Sequence, residues 1–199
     1  MRVSNNIVRI LLFLITASSP LAATKTPQPY DGVWWRSTSE EQHRGWLAGY
    51  IDCSVINGKT ALGFISWYTL EPEIAKYYNL HPSEIKSPVA NVLLDVVARS
   101  RTPKTGEKTQ VHSGFDGDYW RQSLPEHREG YIEGFLTCHQ ALRRHQANFS
   151  KPPSWYVTKI SQWFGVNTDD PGEINPKREN MAISKVLFKF KDATQKIYR

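Results

Sequence analysis

The sequence predicts an all-α fold, built as a tandem duplication of a three-helix unit packed about a pseudo-two-fold through glycine-rich central helices. Three observations carry this. First, Gly45-Trp-Leu-Ala-Gly-Tyr-Ile-Asp-Cys53 recurs as Gly130-Tyr-Ile-Glu-Gly-Phe-Leu-Thr-Cys138, with Gly, Gly and Cys four residues apart, the repeat distance of one helix face. Second, each stretch follows a capping-box pattern, Thr38-x-x-Glu41 and Ser123-x-x-Glu126. Third, Val89, Val92, Leu93 and Val96, and again Ile183, Val186, Leu187 and Phe190, fall at core-facing helical spacing.

In chain order, residues 1–23 have the form of a secretory signal peptide. Arg2 and Arg9 precede the short apolar run Ile10–Ala17, and Ser18–Ala23 supplies turn formers and small residues, with cleavage expected after Ala23. Eight apolar residues are far fewer than the ~20 that span a bilayer. Residues 24–199 then form a single helical domain of two repeats, about 31–100 and 116–193, joined by the polar linker 101–115. Aligned without gaps at an offset of 85, residues 31–53 and 116–138 share eight identities in 23 positions. Two copies are too few for an open solenoid, so a pseudo-symmetric pair is expected.

Each repeat reads as three helices. Helix A begins at the capping box. In the first repeat it ends at Asn57-Gly58, where glycine supplies a left-handed cap, and in the second it runs on to about Asn148. Helix B is short, about 72–79 after Glu71-Pro72, and about 155–164 before Gly165. Helix C starts after Ser87-Pro88 in one copy. Its equivalent takes in Phe188-Lys-Phe-Lys191, which could also be read as a strand but aligns with a helix.

Glycine inside a helix costs ~1 kcal/mol relative to alanine, so Gly45, Gly49, Gly130 and Gly134 need a compensating reason. Close approach of two helices supplies one. The expectation is that the two A helices cross through these strips, with Cys53 and Cys138, the two cysteines of the chain, forming a disulfide suited to an oxidising compartment.

Charge excludes one class. Without the leader there are 23 basic residues against 19 acidic, and residues 175–199 alone hold seven basic and two acidic. The excess belongs to the C-terminal end, not to a broad face of the kind that binds nucleic acid, so no nucleic-acid partner is expected. No metal or cofactor is expected either, since no two histidines have the i, i+4 spacing of a helical metal clip.

The acid–base candidates are Glu129 and Glu133, four apart on helix A of the second copy, with His127 beside them. The duplicated Trp35-Arg36 and Trp120-Arg121, each after an Asp-Gly, are candidates for a recognition surface, or alternatively an Asp–Arg-braced turn with tryptophan in the core. The pattern Gly-aromatic-aliphatic-x-Gly-aromatic in a small exported helical protein resembles the periplasmic immunity proteins that neutralise type VI secretion toxins. The likeness covers one helix per copy and carries over no residue roles.

The functional expectation is an exported, non-enzymatic binding or interaction protein, periplasmic or extracellular, whose partner is another exported or envelope protein. Its mature chain contains no membrane span. The alternatives are a small helical hydrolase using the acidic cluster of the second copy, and an envelope-structural or toxin-immunity-like protein.

Overall fold

In a computed structural model, residues 30–59, 62, 65–100, 114–142, 149–166 and 176–192 are described. The expected signal peptide, nearly all of the expected linker, and the continuation of helix A to Asn148 lie outside them. The described residues are helical and hold no strand: α1 (Gly32–Ser37), α2 (Glu40–Ile56), α3 (Trp67–Leu80), α4 (Val89–Ser100), α5 (Gly117–Gln122), α6 (Pro125–Leu142), α7 (Pro153–Trp163), α8 (Pro176–Glu179) and α9 (Ile183–Lys189). No helix among them is long and apolar enough to cross a membrane.

The centre of the molecule is the α2–α6 pair. A Cβ on Gly45 would stand 3.0 Å from the His127 Cα and closer still to its carbonyl oxygen. One on Gly49 would press on the Tyr131 carbonyl. Gly130 lies against the Gln42 carbonyl, and Gly134 against that of Trp46. The contacts advance together along both chains, so α2 and α6 run parallel, backbone against backbone. At the far end of the pair Cys53 and Cys138 are joined in a disulfide, Cα to Cα 6.1 Å.

Around the pair, aromatic and aliphatic side chains form one core. Trp46, Leu47, Ile51, Tyr131, Ile132 and Phe135 flank the glycine strips, all at most 1 % exposed. α4 turns Val89, Val92, Leu93 and Val96 inward, and α9 buries Ile183, Val186 and Leu187. Of the Phe188-Lys-Phe-Lys alternation, Phe188 and Lys189 end α9 and Phe190 is its C-cap, so the run is not a strand but the expected helix stops short of Phe190.

Helix starts differ from the sequence reading. The α2 cap is Ser39, whose hydroxyl accepts from the Gln42 N–H, while Thr38 Oγ1 bonds the Trp34 carbonyl and the His43 ring. Ahead of α6, Ser123 Oγ donates back to the Tyr119 carbonyl. The two capping boxes are therefore not the devices that start these helices. α3 begins at Trp67 with Pro72 inside it, because Trp67 and Leu70 gain burial by extending the helix backwards. The two Asp-Gly positions do not make braced turns. Asp31 caps α1 by accepting from the Val33 and Trp34 N–H groups, and Asp116 caps α5 through Asp118 and Tyr119.

Candidate functional site

Because the glycine strips bring α2 and α6 into backbone contact, residues one step to either side of each strip meet across the seam. On one edge these are Glu41, Arg44 and Asp52 of α2 with His127 and Tyr131 of α6. On the other, Gln42 of α2 meets Glu133 of α6, with Trp46 and Tyr50 following Gln42 along α2 and Glu129 one turn before Glu133.

On the first edge the His127 Nδ1 lies 3.1 Å from Glu41 Oε2, and its Nε2 is bonded to the Tyr119 hydroxyl. With the carboxylate accepting from Nδ1–H, Nε2 is left to accept from the phenol. Burial lowers the His127 pKa, keeping the imidazole neutral near pH 7, and raises that of Tyr119, keeping it a donor. Further along this edge the Tyr131 hydroxyl donates to Asp52, a carboxyl pushed up to about 6 by burial against the opposing bonds from Tyr131 and Ser184.

On the second edge Gln42 Nε2 donates to Glu133 Oε2 at 3.1 Å, and Tyr30 is hydrogen-bonded to the same carboxylate. Desolvation, with help from the charge of Glu129, pushes Glu133 up to about 7. The candidates His127 and Glu133 are thus held on opposite edges and are not brought together. Glu129 is exposed beside Glu133.

The remaining candidates have other placements. Trp35 is buried and stacks on His43, ring centres 4.0 Å apart; Trp120 is buried and its indole N–H donates to Ser161 Oγ at 3.1 Å. Both indoles belong to the core, not to a surface. Arg36 is exposed and donates to the Tyr78 carbonyl, and Arg121 pairs with Glu179. The Asp–Arg brace is replaced by a Lys86–Asp31 pair at 3.6 Å.

Sequence reasoning overlooked Glu41, Tyr119, Asp52 and Tyr30 as members of these networks. It also passed over Arg44 and Tyr68. Arg44 bonds Glu40 at 2.9 Å and Glu41 at 2.8 Å, and its guanidinium lies 5.5 Å from the Tyr68 ring centre. The available signal was position: Glu41, Arg44 and Asp52 all flank the Gly45–Gly49–Cys53 strip on one side of a helical wheel. Among the described residues no group of three His, Cys, Asp or Glu could hold a metal ion.

Chemically, each network joins α2 to the other half of the chain: Glu41 to His127, Asp52 to Tyr131, Gln42 to Glu133. The ionisable groups at the seam work as ties between helices. What this leaves outward at the N-terminal end is Tyr68, 60 % exposed, with Arg44 set over it. Comparison with family models, with characterised proteins and with solved structures gives no match to this chain.

Proposed function

We propose that this chain is an exported binding protein, made of two copies of a three-helix unit related by a pseudo-two-fold along the α2–α6 seam, and that it docks another exported or envelope protein through Arg44 and Tyr68. The duplication reading is supported by matched local bonds. The Val89 N–H donates to the Tyr30 carbonyl at 2.7 Å and the Ile183 N–H to the Phe115 carbonyl at 2.8 Å. Gly32 lies under the Tyr78 ring and Gly117 under the Phe164 ring.

The observation carrying the binding reading is the exposed Tyr68 under a guanidinium that Glu40 and Glu41 hold in place. Tyrosine and arginine dominate interface hot spots because each offers a large contact area with a polar tip, and here little rotamer freedom remains to be lost on docking. Export fits a buried disulfide between the two copies.

The test is capture from the host's envelope extract with the oxidised 24–199 chain as bait, beside Tyr68→Ala and Arg44→Ala baits. A defined protein retained by the parent and reduced roughly tenfold or more by either change supports the reading. Equal recovery on all three baits overturns it. A second reading, a small helical hydrolase, has one observation in its favour: Glu133 sits at about 7, where a general acid–base group works. Hydrolysis of a small substrate that Glu133→Gln abolishes would favour it.

A further inference from the structure

α7 carries Trp155, Lys159 and Trp163 at intervals of four, so the three side chains form one stripe about 12 Å long. Both indoles are half-buried, and Trp155 packs edge-on against Phe190. Cations stand over the two rings. Lys159 Nζ is 5.9 Å from the Trp155 ring centre, Lys189 Nζ is 3.9 Å from that of Trp163, and the Arg178 guanidinium carbon is 5.0 Å from the same ring. Lys185, one turn before Lys189 on α9, is exposed on the same side.

The positive charge here is local. Described residues from 155 to 192 hold six cations and two carboxylates: Glu179, which Arg121 of α5 already occupies, and Asp192, which accepts from the Ser150 N–H. Over the full sequence residues 175–199 hold seven basic and two acidic residues, while residues 24–174 hold 16 basic against 17 acidic. The net positive charge of the chain therefore lies toward its C-terminal end, and the described cations of that end stand on α7, α8 and α9.

We propose that this face docks an acidic polypeptide segment, a short run of Asp and Glu on a partner protein. It is separate from the Arg44–Tyr68 surface and does not depend on it. Three of the cations rest on indole rings, which sets their positions before a partner arrives and lowers the ordering cost of binding. Arg178 presents a planar fork that matches a carboxylate with two parallel hydrogen bonds. A lipid surface is the poorer fit. The exposed large apolar side chains of the described residues are Val33, Ile56, Tyr68, Leu80, Leu94 and Leu124, none of them on these three helices, so the face offers no large exposed apolar side chain to bury among acyl chains.

The test uses the oxidised 24–199 chain titrated with a synthetic oligoglutamate peptide, followed by tryptophan fluorescence and calorimetry. Arg178 and Lys189 are exposed, so the double change Arg178→Gln with Lys189→Gln leaves the core intact, which a far-UV melt verifies. Expected is binding that weakens with added salt and falls by roughly tenfold or more in the double variant. The charge-matched control Lys59→Gln with Lys76→Gln, in the first half, keeps parental affinity, as does Tyr68→Ala. Absence of binding, equal loss in the control, or unchanged affinity in the double variant overturns the proposal. So does attachment to phosphatidylglycerol vesicles without binding to the peptide. Because Tyr68→Ala is an arm of both experiments, failure of the Arg44–Tyr68 reading and failure of this one are told apart.

Discussion

Burial raises the pKa of Glu133 to about 7 and that of Asp52 to about 6, and the same cause lowers His43 and His127. The effects on stability have opposite sign. A carboxyl that ionises later in the fold than in the unfolded chain contributes stability below its unfolded pKa, and that contribution is lost as pH rises through the folded value. A histidine with a lowered pKa resists protonation in the fold, so stability falls as pH drops below the ordinary imidazole value of ~6.5. Between pH ~4.5 and ~6.5 the two slopes therefore oppose each other. Glu133→Gln should remove one of them. Urea unfolding across pH should show the variant more stable than the parent by ~2 kcal/mol at pH 8, allowing for partial exposure, and no more stable at pH 4. An effect of equal size at both pH values would mean that the bond from Gln42, not ionisation, sets the energy at this position.

At the scale of helices, the α2–α6 seam sets the largest single constraint. A Cβ on Gly134 would stand 2.9 Å from the Trp46 Cα and nearer still to its carbonyl, and backbone cannot swing aside as a side chain can. Gly134→Ala would gain ~1 kcal/mol of intrinsic helix propensity, so any net loss understates the steric cost. The expected net loss is ~3 kcal/mol or more, read from thermal and urea unfolding, with Gly49→Ala alike. This seam is the part of the fold most legible in the sequence. Glycine spaced by four and written twice is hard to account for except by close approach, and two cysteines at matching positions fall together once the strips do. Helix starts were less legible. Ser39, Thr38 and Ser37 all offer hydroxyls within one turn, and only the bonds from Thr38 to Trp34 and His43 leave Ser39 as the cap. An Asp-Gly pair opens a turn as readily as a helix, which hid α1 and α5. The site was half legible. His127 and Glu133 stood out as ionisable groups near the repeat, but their partners Glu41, Tyr119, Gln42 and Tyr30 lie across the seam, and pairing them requires the parallel direction of the two helices.

Over the whole molecule, the disulfide closes a covalent loop, linking positions 85 residues apart near the C-terminal ends of two helices already in contact. On the chain-entropy account such a loop contributes up to ~4.6 kcal/mol by restricting the unfolded chain. The double change Cys53→Ala with Cys138→Ala should lower unfolding stability by up to that amount while leaving the helical spectrum intact, since the glycine strips and the three polar ties still hold α2 to α6. Both sulfurs belong to residues with no exposed surface, and Ser54 Oγ lies 3.4 Å from the Cys138 sulfur within the core. A thiol reductant therefore has to wait for the seam to open. In native buffer, reduction of the parent should be slow, independent of reductant concentration once that is high, and equal in rate to seam opening measured by hydrogen exchange at α2 and α6. Gly134→Ala, by wedging the seam, should speed reduction by the same factor by which it speeds seam opening in hydrogen exchange. Fast reduction of the parent that scales with reductant and is unmoved by Gly134→Ala would place the bridge outside the cooperative core, and the seam would then not be the element that holds the two halves as one unit.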